Sequence, residues 1–183
     1  MPLAPDPGDG LGDFGLLTIR SATASDAGFL AEMLAIAVDW QPGISPRPVG
    51  AVRCDPALAR YVSGWPREGD VGFVGVTRGG QPVGAAWWRF FTPDDAGYGF
   101  FDRATPEVSI GVVTEVRGHG LGTRLLQALI DEGRRRALPG ISLSVERGNR
   151  AWGLYQRMGF GVVGREDGGS ATMVLLFRPW PHE

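Results

Sequence analysis

The stretch TEVRGHGLGTRLLQALI, residues 114–130, decides the fold of this chain. Three glycines at alternate positions, Gly118, Gly120 and Gly122, follow the apolar run EVSIGVV and lead into an amphipathic segment. A strand–loop–helix junction of this kind presents unpaired backbone N–H groups at the positive end of the helix dipole. Glycine allows a bulky anion to approach the backbone closely, and phosphate is the usual occupant. The stretch therefore predicts an anion-binding loop, to which Arg117 adds a charge-assisted hydrogen bond.

The sequence of the loop narrows the class of phosphate ligand. A dinucleotide fingerprint, G-x-G-x-x-G, needs glycine at position 123, where this chain has Thr123. A Walker-type loop needs Gly-Lys, and all 18 basic residues of this chain are arginine. A nucleotide-binding domain therefore remains an alternative, although the loop matches neither of these two signatures.

Length and composition indicate one domain with a tail. The chain has 183 residues, of which 43% are hydrophobic and 21% are charged. Residues 1–14 are rich in Pro, Gly and Asp and predict a disordered N-terminal tail, with the domain in residues 15–183. The formal net charge of −2 supplies no basic field for nucleic acid or an anionic membrane.

Localisation is inferred from the remaining composition. Cys54 is the single cysteine and cannot form an internal disulfide, which favours a reducing cytoplasm. No apolar run approaches the roughly 18 residues of a membrane span, and the start of the chain lacks the features of a signal peptide. No metal-binding cluster is visible, so we expect no metal.

Hydrophobic periodicity predicts a mixed order of elements. A strand at 16–20 precedes a helix capped by Ser25 or Asp26, and residues 39–54, with three prolines, predict a loop. The further predicted elements are a short helix from Asp55, a hairpin in 71–91 turning at Arg-Gly-Gly-Gln, a loop at 92–106, a strand at 107–113, a helix at 121–137, a strand at 141–145, a helix at 151–158, and two last strands in 160–166 and 170–177. This order favours an α/β fold with a mixed sheet and helices on both faces, and not a regular doubly wound sheet.

A second motif raises the specificity of the first. The segment SVERGNRAWGLYQRMGF, residues 144–160, contains an Asn followed by A-x-x-L-Y and a helix ending in G-F. Together with Arg117-x-x-Gly120-x-Gly122, it resembles the GNAT superfamily of N-acetyltransferases. The resemblance implies the GNAT-type acyl-CoA N-acyltransferase fold, with a mostly antiparallel central sheet whose central strands splay apart. It also implies acetyl-CoA as cosubstrate, a primary amine of a small molecule or a peptide as acceptor, and no metal.

The resemblance assigns roles to individual residues. The loop would hold the coenzyme pyrophosphate, the end of the central strand would pair with the pantetheine arm, and Asn149 would bind that arm as well. The implied coenzyme-binding residues are Val112, Val113, Thr114, Arg117, Gly118, Gly120, Leu121, Gly122, Thr123, Arg124 and Asn149. A backbone N–H near Val112 would polarise the thioester carbonyl.

Two residues are predicted to transfer protons. The resemblance makes Tyr155 the donor to the departing thiolate, because a phenol suits protonation of that group; a core tyrosine is the structural alternative. Some family members carry a Glu base at the position of Ser144, which cannot act as one here. Glu107, which opens the central strand, could serve as the base through a water or could be an exposed strand-start carboxylate; Asp102 and Glu146 are weaker candidates.

The acceptor stays open at this stage. The loops at 39–54 and 92–106 would rim its pocket, and either Trp87 or Trp88, which face opposite sides of one strand, could line it. A transferase that uses a longer acyl-CoA and a non-catalytic coenzyme-binding regulatory domain remain alternatives. The two last strands could pair across a homodimer.

Overall fold

The computed structural model describes residues 17–163 and 169–178, so the predicted tail and the end of the strand predicted in 160–166 lie outside the described residues. Seven strands and five α-helices make up this part of the chain. The strands are β1 Thr18–Ser21, β2 Val71–Val76, β3 Pro82–Arg89, β4 Glu107–Val112, β5 Gly140–Glu146, β6 Gly161–Val163 and β7 Ser170–Leu176. The helices are α1 Ala27–Val38, α2 Val49–Cys54, α3 Pro56–Ala59, α4 Leu121–Arg135 and α5 Trp152–Arg157.

The strands form one mixed sheet in the order β1-β2-β3-β4-β5-β7-β6. Every neighbouring pair is antiparallel except β4 and β5, which are parallel. The prediction of a mixed sheet is confirmed. The hairpin between β2 and β3 is also confirmed, with Val76 paired to Pro82 across the predicted turn.

The parallel strands β4 and β5 touch at one position only. Glu107 and Ser142 form their single registered pair, and the N–H of Ser142 donates to the carbonyl of Pro106 at 3.0 Å. Beyond this pair the two strands diverge toward their carboxyl ends. The splay that the resemblance implied is therefore present, and it opens a fork in the middle of the sheet.

Helices cover both faces of the sheet and create two cores. On one face, α4 and α5 bury an apolar stripe that includes Leu125, Leu129 and Tyr155. On the other face, α1, α2 and α3 pack around Leu30, Met33 and other apolar residues. This arrangement follows from the strand period of two, because successive side chains of a central strand must enter opposite cores.

One element differs from the sequence-based expectation. Residues 39–54 were expected to form a loop, but α2 occupies the last six of them. The three prolines all precede the helix, and Pro48 lies at its N-cap, where a missing N–H costs nothing. Val52 is fully buried among the residues that surround α1, and this burial stabilises a helix too short to persist alone.

The start of α3 combines a proline with an aspartate cap. Pro56 occupies the first turn, and the Asp55 carboxylate accepts a hydrogen bond from the N–H of Ala57 at 2.9 Å. The entry to α1 is more elaborate than a single cap. The Asp26 carboxylate accepts from the N–H of Thr23 at 2.7 Å and pairs with Arg20, which ties the helix start to β1.

Candidate functional site

A cleft of about 940 Å³ runs along β4 and through the fork. It receives side chains from both faces of the sheet, because the divergence of β4 and β5 leaves no strand between them. One end is lined by the loop before α4 and by α5; the other end is lined by α1, α3 and the loops beside them. No helix in the described part of the chain is both long and apolar enough to cross a membrane.

The glycine loop lies at the first end of this cleft. Gly118 and Gly120 have φ values of 84° and 78°, in the left-handed region that favours glycine. The first backbone bond of α4 runs from the N–H of Arg124 to the carbonyl of Gly120 at 3.1 Å. The N–H groups of residues 121–123 therefore precede the helical ladder, and all three of these residues line the cleft. A helix of 15 residues adds its dipole to these donors, which makes this end suitable for a phosphate group.

The two arginines of the loop region have different positions. Arg117 lines the cleft, is exposed, and donates from Nε to the carbonyl of Val112 at 3.2 Å. Arg124 does not line the cleft, and its guanidinium donates to the carbonyl of Leu17 at 2.9 Å. Arg124 thus fixes the approach to β1, because its side chain leaves α4 on the side away from the loop.

The end of β4 offers backbone groups to the cleft only at alternate residues. The N–H of Val113 donates to the carbonyl of Val83 at 3.0 Å, so Val113 faces β3. Alternation along the antiparallel ladder then directs the N–H groups of Ile110 and Val112 away from β3, toward the fork. The N–H of Val112 is therefore available to a partner in the fork.

Val113 and Thr114 use their carbonyls within the protein. The carbonyl of Val113 accepts from the N–H of Val116, and the carbonyl of Thr114 accepts from the N–H of Arg117. Neither residue lines the cleft. Both bonds belong to the short 3₁₀ turn that follows β4.

Asn149 and Tyr155 line the cleft on the side opposite to β4, in the turn before α5 and in α5 itself. The Oδ1 atom of Asn149 accepts from the N–H of Ala151 at 2.9 Å, which caps the turn into α5 and fixes the side chain at the cleft wall. Tyr155 is 6% exposed, and its ring lies 5.9 Å from that of Phe160. Burial raises the pKa of the Tyr155 phenol, so this group stays protonated across the physiological range.

Glu107 is buried, not exposed as its strand-start position allowed. The residue is 3% exposed and lines the cleft from the face covered by α1 and α3. Burial raises the pKa of its carboxyl to about 7, while hydrogen bonds from Gly99 and Tyr61 and the charge of Arg60 oppose this shift. A carboxyl that titrates near neutral pH is suited to accept a proton from an amine.

Tyr61 and the segment of residues 97–99 hold Glu107 in place. The Tyr61 hydroxyl donates to Oε1 of Glu107 at 2.8 Å and accepts from the N–H of Tyr98 at 2.6 Å. The N–H of Gly99 donates to the same Oε1 at 2.8 Å. A β-carbon on Gly97 would collide with Oε2 of Glu107, so glycine is required for the segment to cover the carboxyl this closely.

Sequence reasoning missed Tyr61 and most of the second end of the cleft. Tyr61 follows α3 without any motif, and only the tertiary structure brings it to Glu107. The other unforeseen lining residues are Trp40, Arg47, Asp55 and Tyr98. Arg47 and Tyr98 lie in the loops that were expected to rim the pocket. That expectation was the one feature of the sequence that pointed to these two residues.

The tryptophan expectation is wrong. Trp87 and Trp88 are both 0% exposed and pack in opposite cores, so neither lines the cleft. Trp40 lines it instead, and its ring packs against Gly148 in the loop after β5. The residues that follow α1 therefore contact the loop after β5 and close one side of the cleft.

The weaker base candidates lie in less suitable surroundings. Asp102 does not line the cleft, and its carboxylate accepts from the N–H groups of Ala104 and Thr105 within a turn. Glu146 lines the cleft but is exposed. Within residues 17–163 and 169–178, no cluster of His, Cys, Asp or Glu has the arrangement of a metal site.

A mixed sheet forked between two parallel strands, with a glycine loop before a helix beside the fork, is the fold of the acyl-CoA N-acyltransferases. The family model described as "Acetyltransferase (GNAT) family" matches residues 32–160. The chain belongs to this family. The resemblance found in the sequence is thereby confirmed.

Relatives and solved structures agree with this assignment. An L-methionine sulfoximine/L-methionine sulfone acetyltransferase of Pseudomonas paraeruginosa is 37% identical over 100 residues, which is 54% of this chain and 55% of that protein. A 5-NmdU N-acetyltransferase of Pseudomonas phage PaMx11 is 38% identical over 72 residues, 39% of this chain and 48% of that protein. The matches thus span about half the length of these relatives.

Two solved structures show the fold over nearly the whole chain. A Salmonella typhimurium acetyltransferase, solved with its cofactor acetyl-CoA, superposes with a TM-score of 0.66 at 24% identity, covering 92% of this chain and 98% of that chain. A ribosomal-protein-alanine N-acetyltransferase from Brucella melitensis gives a TM-score of 0.62 at 27% identity, covering 87% and 99%.

Proposed function

We propose that this protein transfers the acetyl group of acetyl-CoA to the primary amine of a small molecule, by direct attack within a ternary complex. One observation carries the proposal. A single cleft passes through the fork and joins a phosphate-binding helix start, a protonated phenol and a buried carboxyl that titrates near neutral pH.

The coenzyme fits the first end of the cleft. The N–H groups of residues 121–123, the loop from Arg117 to Gly120 and the dipole of α4 suit a pyrophosphate. Gly122 faces the cleft without a β-carbon, which leaves room for the anion. The N–H groups of Ile110 and Val112 and the side chain of Asn149 would hold the pantetheine arm along β4. Arg124 would contribute only if its side chain left Leu17. When bound, the coenzyme supplies the acetyl group as a thioester.

The protein's own groups act on the reacting atoms from opposite faces of the sheet. The N–H of Val112 would donate to the thioester carbonyl oxygen. Glu107, as the carboxylate, would accept the amine proton directly or through a water while the amine nitrogen bonds to the acetyl carbon. Tyr155 would donate its proton to the sulfur as the carbon–sulfur bond breaks. Holding the two reactants together in the fork supplies much of the rate.

The second end of the cleft would take the acceptor. Its walls combine apolar and aromatic side chains from Leu58, Tyr61 and Trp40 with the charged groups of Arg47 and Asp55. The relative that acts on L-methionine sulfoximine and L-methionine sulfone makes these two amino-acid derivatives the first acceptors to test.

The test combines binding with turnover. Calorimetric titration with acetyl-CoA and longer acyl-CoA esters measures coenzyme choice, and release of the free thiol over a panel of amines measures transfer. We expect acetyl-CoA to bind and thiol to be released with at least one amino-acid derivative. Tight binding without thiol release for any amine would indicate a regulatory coenzyme-binding domain. Preference for a longer ester would mean that the acyl donor is not acetyl-CoA. No binding of acetyl-CoA would overturn the proposal.

A further inference from the structure

Three buried side-chain oxygens in the described part of the chain have no hydrogen-bond partner within the protein. They are Oγ1 of Thr105, Oε2 of Glu107 and Oγ of Ser142. The three residues are 2%, 3% and 0% exposed, respectively. A buried oxygen without a partner has lost its hydrogen bonds to water and gained none in return, so each of the three needs a physical explanation.

All three residues belong to the closed end of the fork. Glu107 and Ser142 are the one registered pair of β4 and β5, and neighbouring strands lie about 4.8 Å apart. Thr105 precedes Glu107 by two positions, which places both on one face of an extended chain. The three oxygens are therefore carried by adjacent backbone positions.

The side chains also share one face of the sheet. Val108 on β4 and Ile141 and Leu143 on β5 enter the core beneath α4. Because side chains alternate along a strand, Glu107 and Ser142 project to the opposite face, where the segment of residues 97–99 covers them. The cover separates this group from bulk solvent, so a solvent molecule that serves it must be trapped.

We propose that the closed end of the fork binds one buried water molecule, held by Thr105, Glu107 and Ser142, which positions Oε2 of Glu107. A buried water typically makes about three hydrogen bonds to polar groups that otherwise lack partners, and the fork supplies three. The water donates to Oε2, the carboxylate oxygen that neither Tyr61 nor Gly99 contacts, and so solvates the charged form. Thr105 and Ser142 are thus positioning residues, which act through this water and not on the substrate.

The consequence of this water for catalysis rests on the proposed function, in which Glu107 is the base. The test of the water itself needs neither acetyl-CoA nor an acceptor. The groups that already act on the Glu107 charge are Tyr61, the N–H of Gly99 and Arg60. Loss of the water removes a donor to the carboxylate, leaves these groups unchanged and disfavours the charged form of Glu107. We expect Ser142→Ala and Thr105→Val each to raise the titration midpoint of Glu107 by about one pH unit.

The midpoint is measured by carbon-13 NMR of the side-chain carboxyls in protein labelled at glutamate, with the Glu107 resonance identified by its loss in Glu107→Gln. Thr77→Val is the matched control, since Thr77 is a buried threonine of the β2–β3 hairpin and its hydroxyl accepts from Gln81 there. This control should leave the Glu107 midpoint unchanged.

The urea concentration at the midpoint of unfolding distinguishes a bound water from an unpartnered Ser142 hydroxyl, because the two cases predict different changes in Ser142→Ala. If the water is present, Ser142→Ala removes one of its ligands and lowers the unfolding midpoint. If the Ser142 hydroxyl has no partner, its removal relieves an unpaired buried oxygen and leaves the midpoint unchanged or raised.

A crystal structure of the unaltered protein provides the direct test and does not depend on any variant folding. We expect one water within hydrogen-bond distance, roughly 2.6–3.2 Å, of all three oxygens. A dry fork, or an unchanged Glu107 midpoint in both variants, would overturn the inference. Failure to acetylate any amine would leave it standing, since every measurement is made on the protein alone.

Discussion

The Tyr61 hydroxyl donates a hydrogen bond of 2.8 Å to Oε1 of Glu107, although the two residues are 46 positions apart in sequence. The same hydroxyl accepts from the N–H of Tyr98, so one oxygen joins the end of α3, the start of β4 and the segment that covers the carboxyl. This contact links the fold to the proposed proton transfer, because it fixes Oε1 of the proposed base. Oε2 of the same carboxyl has no hydrogen-bond partner within the described part of the protein.

Tyr61→Phe should move the acidic limb of the pH–rate profile to higher pH. The Tyr61 hydrogen bond lowers the pKa of Glu107, so its loss favours the neutral carboxyl. A hydrogen bond to a charged group is worth about 1.5–3 kcal/mol, which corresponds to a shift of about one pH unit or more. The phenyl ring keeps its edge contact with Phe91, where the centroids are 5.1 Å apart, so the core should persist. An acidic limb at its original pH would remove Tyr61 from this role.

Glu107→Gln should abolish that limb and slow transfer by about 10²-fold or more at pH 8, because Gln cannot accept a proton. In the unaltered protein the rate should fall as the pH drops below about 7, the pKa of Glu107. Steady-state rates between pH 5.5 and 9 measure both effects. A variant that retains the limb would show that another group is the base.

The same residue should also make stability depend on pH. Burial raises the folded-state pKa of Glu107 to about 7, above its ordinary value of 4.5, so the folded protein binds more protons than the unfolded chain between these values. The contribution of Glu107 to the free energy of unfolding is therefore full below pH 4.5 and is lost as the pH rises through 7. Glu107→Gln should be more stable than the unaltered protein at pH 8, and this advantage should disappear near pH 4; equal unfolding midpoints at pH 8 would contradict the burial argument.

Tyr155→Phe should lower turnover by about 10²-fold or more without loss of coenzyme affinity, since a general acid contributes this much. Tyr155 is buried against Phe160, and the phenyl ring preserves this packing, so the unfolding temperature should not fall. Thiol release gives the turnover and calorimetry gives the affinity for acetyl-CoA. Turnover equal to that of the unaltered protein would mean that Tyr155 is a core residue only.

Gly122→Ala should weaken acetyl-CoA binding while leaving the fold intact. A β-carbon at this position would lie 3.9 Å from Ile110 and Val112, an ordinary contact, but it would enter the cleft beside the helix N–H groups. We expect the dissociation constant for acetyl-CoA to rise about tenfold or more, because the anion must move away from its donors. Gly50→Ala in α2 is the matched control, since it also adds a methyl group to a helix but lies away from the cleft. Unchanged affinity in Gly122→Ala would place the anion elsewhere.

Much of the fold could be predicted because its signals are local. The glycines at 118 and 120 adopt positive φ, which glycine favours, and α4 starts directly after them. The alternation at Trp87 and Trp88 correctly placed their side chains on opposite faces. The helix α2 was missed because the burial of Val52, not the local sequence, stabilises it.

The sequence by itself determined the family, the glycine loop before α4 and the helix that carries Tyr155, since these depend on spacing along the chain. Only the tertiary structure decided which groups meet in the fork. The burial of Glu107, its contact with Tyr61 and the contact of Arg124 with Leu17 all depend on residues far apart in sequence. Hydrogen bonding and desolvation act through space, so the chemistry of the carboxyl follows from the folded chain and not from its motif.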